Sequence, residues 1–375
     1  MHHLMSALLT TKNLFSSASV KKRKKEQDCY LNNGSAVLEE ILALCNGNCR
    51  IPIRYFTATE IERAIKHSEK KIELDEGYMV TGSLDNHLFL IRFSLYCYGV
   101  HRDIAITAQM SHLKNVLRLI GCCLEFEEPV MVYEYIEGIS LGDLLFEEGN
   151  HDDQTRKSLL SWGSRLRIAN EVASALVFLH TEFTTPIIHR DIKPHKVIID
   201  QNSSIAKIVD FSFSISLPSG ELEVQDRVCG TIEYLDPEYG YCGIITQKTD
   251  VYSFGVLLFE LLTGKELRDI MESNVEEGNV MDRVDSAISE ETINFENFLP
   301  NLIDRYIKEG NIMDIADNAI LEEHGIEIQQ QLQDYLNLVK KCTTYNRKNR
   351  PYMIQVAKEL CRIHKCFHAF TLGQI

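Results

Sequence analysis

The chain is short of positive charge. Of its 375 residues, 39 are Lys or Arg and 54 are Asp or Glu, a formal net charge of −15. Binding to a phosphate backbone rests on concentrated Lys and Arg, so this balance argues against nucleic acid as the main partner. Long apolar runs are missing too. None approaches the ~18 residues of a membrane span, and the Met5-Ser6-Ala7-Leu8-Leu9 stretch is too short for a signal peptide. The opening Met-His-His does not carry the N-myristoylation pattern. The eleven cysteines form no framework: Cys122 and Cys123 are adjacent, and Cys45 and Cys49 lack partners at zinc spacing. Reduced thiols in a cytoplasmic protein are the reading that follows.

The chain is long enough for one two-lobed domain with extensions, and a hydrophobic content of 45% is that of an ordinary globular protein. Residues 1–28 read as a flexible basic tail. Its Lys21-Lys22-Arg23-Lys24-Lys25 run fits a solvated tail, a nuclear signal or a patch for anionic lipid. The lipid reading, with Cys29 as a palmitoylation candidate, would place the protein at the inner face of the plasma membrane.

Residues 29–70 predict a helical extension. Ser35 is a candidate cap for one short helix with Val37, Leu38, Ile41, Leu42 and Leu44 on its apolar stripe. Thr57 with Glu60 forms a capping box for another, with Ile61, Ala64 and Ile65 inward. Residues 71–137 are strand-like around one helix at Asp103–Met110, and 138–365 turn helical, with 366–375 as a C-terminal tail. Ser161 caps an i, i+3, i+4 pattern, and Val251–Leu262 is apolar nearly all round, which marks a buried helix. Strands first and helices second make an α+β pattern of two lobes. The acidic stretch 265–333 reads as a solvated insertion.

The chemistry-bearing motifs occur in order. Leu119-Ile-Gly-Cys-Cys and Val132-Tyr133-Glu134-Tyr135 are followed by His189-Arg190-Asp191-Ile192-Lys193, then Asp210-Phe211-Ser212. Gly230-Thr231, Asp236-Pro237-Glu238, Asp250-Val251-Tyr252 and Arg350-Pro351 complete the series. The series resembles the eukaryotic protein kinase domain, in the plant receptor-like kinase branch. Asn33-Gly34-Ser35, Cys45-Asn46-Gly47, Ile51-Pro52-Ile53-Arg54 and the Phe211–Pro218 run narrow the likeness to the ZRK family of pseudokinases, relatives of wall-associated kinases. The resemblance implies a bilobal fold with a strand-rich N-lobe and a helical C-lobe.

By this resemblance Asp191 and Lys193 are the catalytic pair, vestigial or conditional. Arg92 and the hinge residues Tyr133, Glu134 and Tyr135 fall at the nucleotide, and Asp210 at the metal. Ser212, Ser214, Ser216, Ser219 and Thr231 are contact or modification candidates in the activation segment. His189 and Phe211 belong to the packed spine, Asp250 anchors the catalytic loop, and Glu238 pairs with Arg350.

The departures all touch phosphate or metal. G-x-G-x-x-G is missing between Lys71 and Leu84, where only Gly77 and Gly82 occur. Arg92 stands for the phosphate-contacting lysine, and its helix carboxylate falls at Asp103 or Ile104, which shortens or removes the ion pair. Lys196 replaces the asparagine that holds a second magnesium ion, a repulsion of about 4 kcal/mol per unit charge at about 4 Å and an effective dielectric near 20. Loss of that metal site is the expected outcome, with no cofactor required and the case for ATP and magnesium weakened. The resemblance implies a pseudokinase adaptor or decoy in plant innate immunity, with a leucine-rich-repeat NLR receptor and receptor-like cytoplasmic kinases as partners. The alternative is a weakly active or conditional ATP-dependent serine/threonine kinase. A degenerate paralogue with no partner is the third reading.

Overall fold

The computed structural model describes residues 17–45, 53–68, 71–74, 77–95, 98–146, 160–276, 295–308 and 312–372. The first described element is a 29-residue helix, α1 (Ser17–Cys45). It takes in the basic run and passes through Ser35, so for residues 17–28 the flexible tail is corrected to helix, and Ser35 is interior rather than a cap. The physical reason is burial: Asn33, Val37 and Leu44 are buried at helical spacing with Ile41 beside them, while Leu38 and Leu42 stay 55% and 50% exposed. The inward stripe is therefore narrower than the sequence suggests. Its packing carries the helix through Gly34, a residue that would weaken an isolated one.

After β1 (Arg54–Tyr55), Thr57 caps α2 (Ala58–Ala64) in a full capping box with Glu60, as its sequence indicates. The strands β2 (Lys71–Leu74), β3 (Gly77–Leu84) and β4 (His87–Ser94) precede α3 (Val100–Met110), β5 (Leu119–Cys123) and β6 (Val130–Glu134). They form a six-stranded sheet in the order β1-β5-β6-β4-β3-β2. Asp85 and Asn86, both at positive φ, close the β3–β4 hairpin in two residues.

In the second lobe, β7 (Gly138–Ser140), α4 (Leu141–Phe146), α5 (Trp162–Thr181) and β8 (Ile187–Ile188) lead to the catalytic loop. The hairpin of β9 (Val197–Asp200) and β10 (Ala206–Ile208) follows it and pairs with β7. The activation segment carries β11 (Ile215–Ser216), paired with β8, and β12 (Glu223–Gln225), then α6 (Pro237–Cys242). Next come β13 (Ile244–Thr246), paired with β12, and α7 (Gln247–Thr263). Every residue of α7 from Thr249 to Thr263 is buried, and Thr246 and Gly264 cap its ends.

Helices α8 (Leu267–Glu276), α9 (Phe295–Lys308), α10 (Asn318–His324) and α11 (Gln329–Thr343) follow; α11 packs on α7, α9 packs on α11 and α6, and α12 (Met353–Thr371) lies along α5. Leu267, Leu299, Ile303, Ile320 and Leu332 enter the main core. The described part of 265–333 is thus built into the lobe, which corrects the solvated insertion. Likewise α12 runs to Thr371, past the tail boundary at 366. No described helix is long and apolar enough to cross a membrane.

One ion pair differs from expectation. Arg350 is fully buried against Asp236, with Nη1 at 2.7 Å from Oδ2 and Nη2 donating to Oδ1 at 2.8 Å. Glu238 instead pairs with Arg347 at 3.2 Å on a wetter surface. Asp236 is the N-cap of α6 and its carboxylate stays at the buried end, whereas Glu238, two residues on in the first turn, is only partly buried.

Two outcomes follow from these buried groups. Asp236→Ala leaves Arg350 as a buried charge with one partner gone and should cost about 3–5 kcal/mol in urea unfolding, well above Glu238→Ala. Glu260, in α7, is fully buried under the hydroxyl of Tyr234, which donates to both of its oxygens at 2.8 Å. Burial pushes its carboxyl up to about 8. A carboxyl raised on folding contributes stability that is full below its ordinary 4.5 and lost as the pH rises through about 8. Glu260→Gln removes that loss, so in unfolding curves the stability difference should shift toward the variant as the pH rises from 4.5 to about 8 and stay level above it.

Candidate functional site

Between the lobes, the loop from β8 to β9 is fixed from below by Asp250. Its Oδ2 accepts from the His189 backbone N–H and lies 2.8 Å from His180 Nε2, and its Oδ1 accepts from the Arg190 N–H at 2.8 Å. These bonds hold Arg190 at φ 73°, a conformation that costs a non-glycine residue about 1–3 kcal/mol. The rings of His189 and Phe211 pack at 5.2 Å, both buried. Burial pushes the His189 imidazole down to about 4, so it is neutral at physiological pH.

The Arg190 side chain points to the activation segment. It donates to Asp226 Oδ2 at 2.9 Å, to the Arg227 carbonyl at 2.6 Å and to the Tyr239 hydroxyl at 2.7 Å. That hydroxyl accepts from the Cys229 N–H. The distal half of the segment is thereby fastened to the loop.

Above it lie three carboxylates and three cations. Arg92 of β4 reaches Asp103 of α3 at 2.5 Å and Asp210 at 2.9 Å. The ion pair expected to be shortened or lost is therefore present, with Asp103 as the partner, because the longer guanidinium reaches where the carboxylate is one carbon shorter. Asp210 sits at φ 69°.

The Lys196 ammonium points into the site. It lies 3.0 Å from Asp210 Oδ2 and in direct contact with Asp191 Oδ2, under the ring of Phe213 at 4.9 Å. The other Asp191 oxygen accepts from the Thr231 N–H at 2.9 Å and from its hydroxyl at 2.8 Å, and Lys193 donates to the same hydroxyl at 2.6 Å.

Burial opposes ionisation of Asp191 and Asp210, but nearby cations prevail. Lys196 and Lys193 hold Asp191 below the ordinary carboxylate value, and Arg92 and Lys196 hold Asp210 well below it. Burial pushes Asp103 up against the pull of Arg92, and the Asp210 carboxylate adds to the rise. The guanidinium thus lies between two carboxylates moved in opposite directions, Asp103 up and Asp210 down.

These residues do not fit a magnesium ion. Asp210 has both oxygens turned to cations of this chain, and Lys196 fills the position of a second ligand. Among the described residues no group of three or more His, Cys, Asp and Glu could hold a metal. The space beside the hinge is also filled. Leu90, Ile136, Ile198 and Val209 belong to one buried cluster with Ile72 packed on it. A Cβ on Gly138 would lie 2.8 Å from Ile198 and 3.3 Å from Ile72. Sequence reasoning missed this apolar filling. Leu90, a bulky residue two positions before Arg92, was the available sign.

The hinge side chains are occupied elsewhere. Tyr133 is fully buried, its hydroxyl donating to Met131 Sδ at 3.4 Å. Glu134 takes Lys207 at 2.9 Å and Arg118 at 3.3 Å, and Tyr135 donates to Glu137 at 2.7 Å. The polar atoms of all three side chains are thus engaged within the protein. Of the activation-segment candidates, Ser212 and Ser214 are buried, which removes them as surface contacts. Ser216 lies in β11, Ser219 is exposed, and Thr231 is engaged by Asp191.

Comparison with known proteins agrees with this architecture. Residues 95–361 match the model of the protein kinase domain. Serine/threonine-protein kinase ZRK4 of Arabidopsis thaliana is 35% identical over 92% of this chain and 96% of its own length. Non-functional pseudokinase ZED1 of the same plant is 33% identical over 92% of this chain and 99% of its own. Wall-associated receptor kinase 1 is 31% identical, and this chain spans 45% of it. The names of these relatives thus divide between kinases and a pseudokinase.

Replacing the internal cation tests the site. Lys196→Asn should lower the unfolding midpoint in magnesium-free buffer, and magnesium should restore part of the loss in the variant while leaving the unsubstituted protein unchanged. Because both carboxyls are held below the ordinary 3.8, their stabilisation is full above 3.8 and is lost only as the pH falls from there through the lowered folded values. The comparison therefore belongs near neutrality. An equal magnesium response in both proteins would place the ion elsewhere.

Proposed function

The chain belongs to the protein kinase family, and from that premise we propose that it is a pseudokinase whose folded surface, and not phosphoryl transfer, is its function. The observation that carries this reading is Lys196 lodged between Asp191 and Asp210. Phosphoryl transfer is mostly positioning and charge neutralisation. Here the charges are already neutralised within the protein, and the proton acceptor is paired on both oxygens.

The binding role proposed is that of an adaptor or decoy in plant innate immune signalling. It would join a leucine-rich-repeat NLR receptor to receptor-like cytoplasmic kinases altered by a pathogen effector. Likeness to the ZRK proteins supports this choice, as does a maintained scaffold: Asp250, the His189–Phe211 contact and the Arg350–Asp236 pair are intact while metal handling is lost. The cytoplasm, with attachment at the plasma membrane through the basic stretch of α1, is the proposed location.

The second reading, a conditional serine/threonine kinase, is favoured by one observation: Lys193 and Asp191 keep their places on the loop and share Thr231. The two readings part in an assay of magnesium-dependent phosphate transfer from ATP to a generic protein substrate. The adaptor reading expects no transfer and expects Asp191→Asn to keep its function in plant tissue, including co-purification of a coiled-coil NLR. Robust transfer abolished by Asp191→Asn would establish the enzyme instead.

A further inference from the structure

The first turn of α3 touches two parts of the chain that are otherwise apart. Toward α1, His101 Nε2 lies 2.9 Å from Asn33 Oδ1, and Arg102 pairs with both oxygens of Glu40 at 3.2 Å. Toward the activation segment, the same Arg102 donates from Nη1 to the Ser214 carbonyl at 2.7 Å. Asp103 accepts from the Phe211 N–H at 3.1 Å.

Just before the turn, Gly99 at φ 70° is pressed on the segment so closely that a Cβ would lie 1.9 Å from the Ser212 carbonyl oxygen. Helix α1 is itself seated at fixed points. Asn33 donates to the Leu124 and Phe126 carbonyls at 3.0 and 2.9 Å, and Val37 is buried in the cluster that holds Val100 and Ile104.

One guanidinium therefore joins α1 to the start of the activation segment. Its planar fork lets separate N–H groups serve Glu40 and the Ser214 carbonyl at once. Withdrawing Glu40 frees the guanidinium to rotate toward solvent, and the Ser214 carbonyl loses a charge-assisted donor. Phe213, next to Ser214, is the ring over Lys196 and lies 5.5 Å from Tyr98, on which the Arg227 guanidinium stacks at 3.9 Å. Disturbance at Ser214 therefore reaches both halves of the segment through contacts already formed.

We propose that α1 is a handle on the activation segment: through Arg102, the seating of α1 on α3 sets how firmly residues 211–217 are held. A macromolecule that grips α1 would change the order of the segment at a distance, and one that grips the segment would change the seating of α1 by the same free energy. This coupling stands or falls separately from the adaptor reading, since it concerns the isolated chain.

The test is hydrogen exchange by mass spectrometry on the full chain. Glu40→Gln and Arg102→Gln should each speed backbone exchange in 211–217 by at least about fivefold, the lower end of usual coupling. The double variant should do no more than the stronger single one, because both act through one contact. Lys22→Ala removes a different contact of α1, to Glu62 of α2, and should leave 211–217 unchanged. Thermal unfolding of each variant checks that it is folded, and Arg102→Lys stands in if Arg102→Gln is not. Unchanged exchange in Glu40→Gln overturns the proposal. So does an equal effect of Lys22→Ala, which would mean general loosening, and so do additive effects in the double variant.

Discussion

The Lys196 ammonium, set between the carboxylates of Asp191 and Asp210, is the contact around which the rest is arranged. Three carboxylates, those of Asp103, Asp191 and Asp210, are buried within one site. Isolated charges there would be very unfavourable. Arg92, Lys193 and Lys196 compensate them from within the chain. Each cation also joins two elements: Arg92 ties the N-lobe sheet to α3 and Asp210, Lys196 ties the catalytic loop to Asp210, and Lys193 ties the loop to Thr231. The charge network that would serve a metal and a phosphate has become a set of cross-links between lobes and activation segment. The side chains of Ile72, Leu90 and Ile198 do the same for the apolar part of the cleft.

Much of this was legible in the sequence because it rests on local chemistry. The capping box at Thr57 and Glu60, the Ser161 cap and the all-round apolar helix at 251–262 follow from spacing alone. The ordered motifs from His189 to Arg350 placed the loop, the anchoring Asp250 and Lys196 beside Asp191. What was not legible depended on partners distant in the chain. Nothing local says that Arg350 will choose Asp236 over Glu238, since both carboxylates lie on one short helix and only its orientation decides. Nor does charge alone show where Lys196 will rest. Its attraction to Asp191 and Asp210 needed the three positions in space.

The extension illustrates the same limit. Gly34 and Ser35 read locally as a break, and the basic run before them as a tail. The continuous helix is made by tertiary contacts, with Asn33 fixed to the β5–β6 turn and Val37 packed on α3. Stability gained by packing can override weak local propensity over several turns. The described part of the acidic stretch after α7 differs for a related reason: Leu267, Leu299, Ile303 and Ile320 enter the main core together, which depends on contacts distant in the chain.

The bond between Arg190 and Asp226 has a consequence for time rather than for shape. The guanidinium that fastens the distal activation segment is matched by a carboxylate encoded in the chain. Such a fastening is complete when the ribosome releases the protein and the fold closes. It consumes no nucleotide, awaits no upstream enzyme and is not erased by a phosphatase. The fastening is therefore present wherever the folded protein is.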